Sequence, residues 1–378
     1  MKNLKFSVLL ALALISFGGS LRAEFLYVSF GPGLLSFRID NQTGSITALP
    51  GSPLLFAEGV GPLVLDRRGR FLYASTGGSA VDFGPWNSIS AYRIKPDGRL
   101  QPLHGSPFKI AGGNLAVDPF NRFLYAAAGV FGQSGTIAVY RLEANGELKP
   151  VSGSPFPTEN DPMSVTTDPF GRFVYVANLG SRDISAYRVL ENGTLIPVLG
   201  SPFPILGPGQ PITVVVEPSA RFLYAANLDG ANISSYSIGL NGTLTPIAGS
   251  PTPTRGPWYE NMALDPSGRF IYTPVGVAGL DAFRINIATG LPEVIQSISV
   301  GDDFDNNPVG VAVDPLGKFV YEANANGIPE PGSISIRGFR IGSGGTLTLV
   351  PGFPLFPLGK EVGTEQGFPY WIVVAPDK

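Results

Sequence analysis

The chain has 378 residues, a formal net charge of −3 and no cysteine. Basic side chains are mostly scattered singly, so nothing suggests a nucleic-acid footprint, and the missing thiols exclude disulfides, cysteine nucleophiles and thiolate metal sites. Glycine (49) and proline (36) are abundant while charged residues make up only 15% of the chain, a balance suited to many short strands joined by tight turns.

The N-terminus reads as a segment apart from the fold. Lys2 and Lys5 give a positive start, Phe6 to Phe17 form an apolar run, and mostly small residues follow from Gly18 to Ala23. This is the layout of a secretory signal peptide, too short in its apolar part for a membrane span. Cleavage is expected after Ala23, with Ser20 as the alternative. The expectation is an exported, periplasmic or extracellular protein with no transmembrane anchor, monomeric, whose residues 24–378 form one domain.

One phrase then recurs along the chain. It reads "DRRGRFLYAS" from Asp66, "DPFNRFLYAA" from Asp118, "DPFGRFVYVAN" from Asp168 and "EPSARFLYAAN" from Glu217. "DPSGRFIYTP" follows from Asp265 and "DPLGKFVYEAN" from Asp314, with a fragment, "EFLYVSF", at Glu24. Its tyrosines, Tyr27, Tyr73, Tyr125, Tyr175, Tyr224, Tyr272 and Tyr321, are spaced 46 to 52 residues apart. A period this regular marks one supersecondary unit per copy.

Each unit holds four strand signals. An apolar run such as "TVVVE" leads into the D-P-x-G turn, the strand "RFLYAAN" follows, and "SISAYRI" or "DISAYRV" makes the third. Asn-Gly or Asp-Gly (Asn192-Gly193, Asn241-Gly242, Asp97-Gly98) then favours a type I′ hairpin into a short fourth strand that ends in "GSPF". The prediction is an all-β, seven-bladed β-propeller with four antiparallel strands per blade. The last strand, "WIVVAPDK", matches an innermost strand and should pair with "EFLYVSF", closing the ring across the termini and removing an open edge. Residues repeated in every blade are read as scaffold, including the third-strand arginines Arg93, Arg141, Arg188, Arg284 and Arg340.

Function is expected where the repeat breaks. The stereotyped turns share one face, and the variable second-to-third loops and blade crossings share the other. On that face lie Ser75 to Ser88 with Trp86, the crossing "TRGPWYEN", the acidic "SVGDDFDNNP", and the last crossing with Lys360, Glu361, Glu365, Tyr370 and Trp371. Arg255 and Glu260 are the candidate catalytic pair, a guanidinium to polarise a carbonyl and a carboxylate to activate water; a surface salt bridge is the alternative. Trp86 and Trp258 are candidates for stacking on a sugar or for anchoring loops. Tyr259, Asp161, Glu365 and Tyr370 complete the substrate-binding candidates.

Asp303, Asp305 and Asn307 have the alternating oxygen spacing that opens a calcium loop, but the later glycine and distal glutamate are missing. No cofactor is expected, with Ca²⁺ as the one candidate. His104, the single histidine, occupies a tolerant slot at the end of an outer strand, so histidine-rich metal sites are excluded. No G-x-S-x-G elbow or phosphate-binding glycine loop is present.

The unit "P-x-x-V-x-x-D-P-x-G-R-F-L-Y-x-A-N … I-S-x-Y-R-V … N-G-x-L" resembles the seven-bladed lactonase family over the whole of residues 24–378. That family includes bacterial 6-phosphogluconolactonase and the fungal 3-carboxy-cis,cis-muconate lactonizing enzyme, and it borders YVTN-type surface propellers. The resemblance implies histidine, arginine and glutamate around the tunnel mouth, with histidine after the proline that precedes an inner strand. Here those positions read Leu63, Met163, Ile212, Val309 and Tyr370. Two functions follow as expectations. The first is an exported hydrolase of a small sugar-type lactone. The second is a non-catalytic propeller whose variable face binds a glycan, a peptide or an envelope protein.

Overall fold

The computed structural model describes residues 24–57, 59–78, 86–129, 132–256, 261–276, 279–299, 307–325, 334–357 and 369–375. These form seven antiparallel sheets arranged as the blades of a β-propeller, as the repeat predicts. Blade 1 joins the chain ends: Pro369–Ala375 is innermost and pairs with Glu24–Phe30, from Phe25 opposite Ala375 to Phe30 opposite Pro369. The innermost strands of blades 2 to 7 are Gly59–Leu65, Asn114–Val117, Pro162–Thr167, Gln210–Val216, Ala263–Leu264 and Asn307–Val313. Residues 1–23, where the signal segment is expected, lie outside the described residues.

The repeated phrase acts as a clasp between blades. In blade 4, the buried carboxylate of Asp168 accepts the N–H of Phe173 at 2.9 Å and pairs with Arg172 Nε at 2.8 Å, while Gly171 N–H closes the turn on Asp168 O. Two residues further on, Tyr175 reaches the next blade and donates its phenol to Gly242 O at 3.1 Å. Six of the seven repeat tyrosines make this bond to the glycine of the following blade's third-to-fourth turn. Only Tyr125 has a buried hydroxyl without a partner.

The phenylalanine of the phrase packs on the same glycine. A side chain at Gly44 would put its Cβ 2.4 Å from the Phe319 ring, and the residue has φ +81, so only glycine fits. The third-strand arginines complete the contact, with Arg340 stacked 4.8 Å from the Phe319 ring and Arg93 4.9 Å from Phe71. Seven such aromatic layers form the core clusters between neighbouring blades, so each blade is buried on both faces.

Two local expectations differ from the structure. The Asn-Gly turns are not type I′: Gly193 has φ +91 and donates to Leu190 O, whereas Asn192 does not have positive φ. The glycine therefore sits after a type I turn, in the left-handed position of a bulged hairpin. The fourth strand is also split in most blades. In blade 4, Leu195–Pro197 and Phe203–Pro204 both pair with Asp183–Val189, and the "GSP" between them bends back so that Ser201 Oγ accepts Ala186 N–H at 2.8 Å.

Candidate functional site

The innermost strands surround a central tunnel. Its cavity of about 530 Å³ is walled by residues such as Val64, Leu115, Val165, Val214, Ala312 and Ile372, with hydroxyl and amide groups from Ser164, Thr213, Asn114 and Asn261. Three of these polar groups serve the ring itself. Asn114 Oδ1 accepts Val165 N–H at 3.4 Å, and Ser164 Oγ accepts Val214 N–H at 3.2 Å. Asn261 uses both ends of its amide, accepting Val311 N–H at 2.8 Å and donating to Val311 O at 3.0 Å. An inner strand's free edge is thus partly satisfied by the preceding blade.

The residue after the inner-strand proline is a β-bulge. The ladder skips Met163, Ile212 and Val309 in blades 4, 5 and 7. A bulge re-aims a side chain at a rim, and the three residues here are all apolar. Leu63 does not belong to this set: in blade 2 it is Val60, opposite Thr76, that takes the proline's place, so Leu63 lies deeper, opposite Ala74. The proline at 62 made the sequence align two residues late.

Blade 6 departs from the repeat. Its inner strand is only Ala263–Leu264, although the preceding sequence is not unusually polar. The cause lies in the neighbouring strand Phe270–Pro274. Pro274 stands where blade 4 has Ala177, which pairs with Ser164. Proline has no N–H to donate, so the ladder stops at Ala263 opposite Tyr272, while Asn261 still makes the side-chain bridge to the next blade that Asn114 and Ser164 make in theirs. The fourth strand of this blade is one continuous run, Pro292–Ile298, reaching as high as Leu280.

Arg255 lies on the crossing from blade 5 to blade 6. Its Nε lies 2.7 Å from Asp281 Oδ1 and one terminal nitrogen 3.4 Å from Ile298 O, while about a third of the side chain stays exposed. Asp281 is fully buried, and its other oxygen has no partner among the described residues. It lies opposite Thr273, a position held by Ser90, Ala138, Ser185 and Ser234 in other blades. Glu260, Trp258 and Tyr259 lie outside the described residues.

The adjoining blade 7 has a second buried ion pair that sequence reading did not single out. Glu322 and Arg337 face each other across paired strands, with Arg337 Nη2 2.6 Å from Glu322 Oε1. They share a strand face with Val320, part of the core cluster with Tyr272 and Ala282 of blade 6. Burial pushes the Glu322 carboxyl above its ordinary value, and Arg337 acts in the opposite direction. Arg337 stands where blades 4 and 5 have Ser185 and Ser234, which bond to Asn178 and Asn227 in neutral networks. At the top of blade 4, Asp183 accepts from Asn178 at 2.7 Å, and burial raises its pKa as well.

The other candidates are placed as follows. Trp86 is buried rather than offered to solvent, with its ring over Gly61, where a Cβ would lie 2.3 Å away; it anchors the loop. Asp161 is buried with φ +53, and its carbonyl accepts Leu179 N–H at 2.8 Å, fixing the crossing between blades 3 and 4. Tyr370 belongs to strand Pro369–Ala375, and its side chain, like Lys360, Glu361 and Glu365, lies outside the described residues. Of the calcium candidates, Asp303 and Asp305 also lie outside them; Asn307 pairs opposite Ala325. Among the described residues no group of histidine, cysteine and carboxylate side chains is arranged to hold a metal ion. His104 is exposed in the turn after Leu100–Pro102.

A sequence profile described as "Lactonase, 7-bladed beta-propeller" matches residues 111–354, more than half of the chain. The chain belongs to the lactonase family of seven-bladed propellers. No curated protein matches it by sequence. Solved structures share the lactonase-type fold over nearly the full length. The periplasmic gluconolactonase of Pseudomonas aeruginosa is 19% identical with a TM-score of 0.73, covering 94% of this chain and 100% of that one. A putative 6-phosphogluconolactonase from Bacteroides uniformis is 15% identical with a TM-score of 0.72, covering 93% and 99%. No helix among the described residues of this lactonase-family chain is long and apolar enough to cross a membrane.

Proposed function

We propose that this lactonase-family propeller hydrolyses a small, unphosphorylated sugar-type lactone on its loop face, above blade 6. The observation that carries the reading is Arg255, held by buried Asp281 at the blade whose inner strand Pro274 releases. Bonding through Nε leaves guanidinium N–H groups for a lactone carbonyl oxygen. Glu260, five residues along the same crossing, takes a proton from water as its oxygen adds to the carbonyl carbon. Arg255 stabilises the resulting oxyanion, the ring C–O bond breaks, and Glu260 returns the proton to the departing alkoxide. Oxyanion donors contribute on the order of 10²–10³ in rate and general bases about 10²–10⁴.

Export fits this substrate class. The signal-type layout of residues 1–23 supports a periplasmic or extracellular location, away from cytosolic sugar phosphates. A second reading, a non-catalytic scaffold for a glycan, peptide or envelope protein, draws on the apolar bulges Met163, Ile212 and Val309, where no histidine stands.

Residues 24–378 incubated with a panel of aldonolactones, with acid release followed against the spontaneous rate, test the proposal. Turnover that falls at least a hundredfold in Glu260→Gln, and strongly in Arg255→Lys, is expected. Turnover lost in Asp183→Asn but kept in Glu260→Gln would move the base to blade 4. No turnover above background supports the scaffold.

A further inference from the structure

We propose that the turn-face end of the central tunnel is an anion site centred on Arg67, which takes a small carboxylate. Its first support is a break in the D-P-x-G turn. The second residue is proline at Pro119, Pro169, Pro218, Pro266 and Pro315, and blade 2 alone puts arginine there, in "DRRG". Proline at this position is neutral and offers no donor; Arg67 adds a fixed positive charge with five N–H donors.

Arg67 lines the tunnel cavity, and among the described residues Asp66 is the only other charged side chain in its wall. Arg67 is an exposed residue on that concave wall and makes no ion pair within 4.0 Å among the described residues. The carboxylates nearby are already committed. Asp66 accepts Phe71 N–H and pairs with Arg70, and Asp118 pairs with Arg122 Nε at 2.7 Å. Desolvation lowers the Arg67 pKa, with Asp118 opposing; an arginine so placed stays charged and gains from an incoming anion. The strand layer just above is apolar at Leu65, Val117 and Val374, and Thr167 in that layer keeps a buried hydroxyl without a partner. A positive end inside low-dielectric walls concentrates anions.

Oxyanions of two kinds share this chemistry, carboxylate and phosphate. The choice of carboxylate rests on the proposed hydrolysis, whose product is an aldonate, while the anion site itself stands on Arg67 whether or not a lactone is cleaved. The experiment is calorimetric titration of residues 24–378 with gluconate and, separately, inorganic phosphate, at low and at 150 mM salt. Arg67→Met and Arg67→Lys are titrated alongside, with thermal melts as a check on folding.

Saturable gluconate binding is expected, weakened at least tenfold in Arg67→Met, largely kept in Arg67→Lys, and weaker at higher salt. Equal gluconate binding by Arg67→Met, or no binding of either anion by the wild-type chain, overturns the site. Phosphate binding without gluconate binding overturns the carboxylate assignment. Gluconate binding through Arg67 in a chain with no turnover upholds the site and rejects the hydrolase.

Discussion

Tyr321, in the last blade, donates its phenol to the carbonyl oxygen of Gly44 in the first, 3.0 Å away and 277 residues earlier in the chain. The same bond joins five of the other six blade pairs, so the ring closes with the joint used along its length. Burial raises the pKa of Tyr321 well beyond the usual phenol range, which keeps the donor protonated.

Removing that hydroxyl should loosen the seam. Tyr321→Phe leaves Gly44 O without its donor and is expected to cost about 0.5–1.5 kcal/mol, seen as a lower denaturation midpoint. Tyr125→Phe removes a buried hydroxyl with no partner and should be neutral or slightly stabilising. Equal losses from the two variants would refute a hydrogen-bonding role for the repeat tyrosine.

The Arg255–Asp281 pair makes a separate stability prediction. Arg255→Met strands a buried carboxylate and should destabilise by about 1–3 kcal/mol, a figure held down because the arginine is partly exposed. Adding Asp281→Asn removes the stranded charge and should recover most of that loss. Chemical denaturation of the single and double variants decides it; strictly additive losses would mean that the two side chains are not coupled.

Glu322 predicts a pH dependence. Its carboxyl is pushed above the ordinary value of 4.5 by burial, so folding favours the neutral form. The associated stability is fully present below the ordinary glutamate pKa, declines as pH rises through the window up to the raised value, and is constant above it. Glu322→Gln should lack this decline. Melting temperatures of the two proteins across mildly acidic pH measure it, and a wild-type-minus-variant difference that stays flat there would show that Glu322 does not titrate with a raised pKa.

The architecture was legible because it is written in local chemistry and repeated. An aspartate before a turn, a glycine closing it and an aromatic pair after it recur at one period, and each element can be recognised from a few adjacent residues. Blade number, ring closure and the structural role of Asp168 and Arg172 follow from that repetition. The turn type at Asn192-Gly193 did not, since one positive φ or two depends on how the flanking strands are registered.

The site was legible only as a location. The crossing that carries Arg255 broke the repeat visibly, whereas Asp281, Glu322 and Arg337 read as ordinary charges on strands. What sets them apart is who stands opposite: Thr273 across from Asp281, and Glu322 across from Arg337, pairings fixed by register between segments far from any shared motif. Trp86 likewise read either as a platform or as a loop anchor, and Gly61, 25 residues earlier and beneath its ring, decides for the anchor. The sequence by itself determined the repeated blade and its closure, because turns and alternating strands depend on neighbours in the chain. Which charges are buried, which amide loses its ladder to Pro274, and which guanidinium is left facing the tunnel were decided by tertiary packing, because burial and pairing are properties of the space between blades.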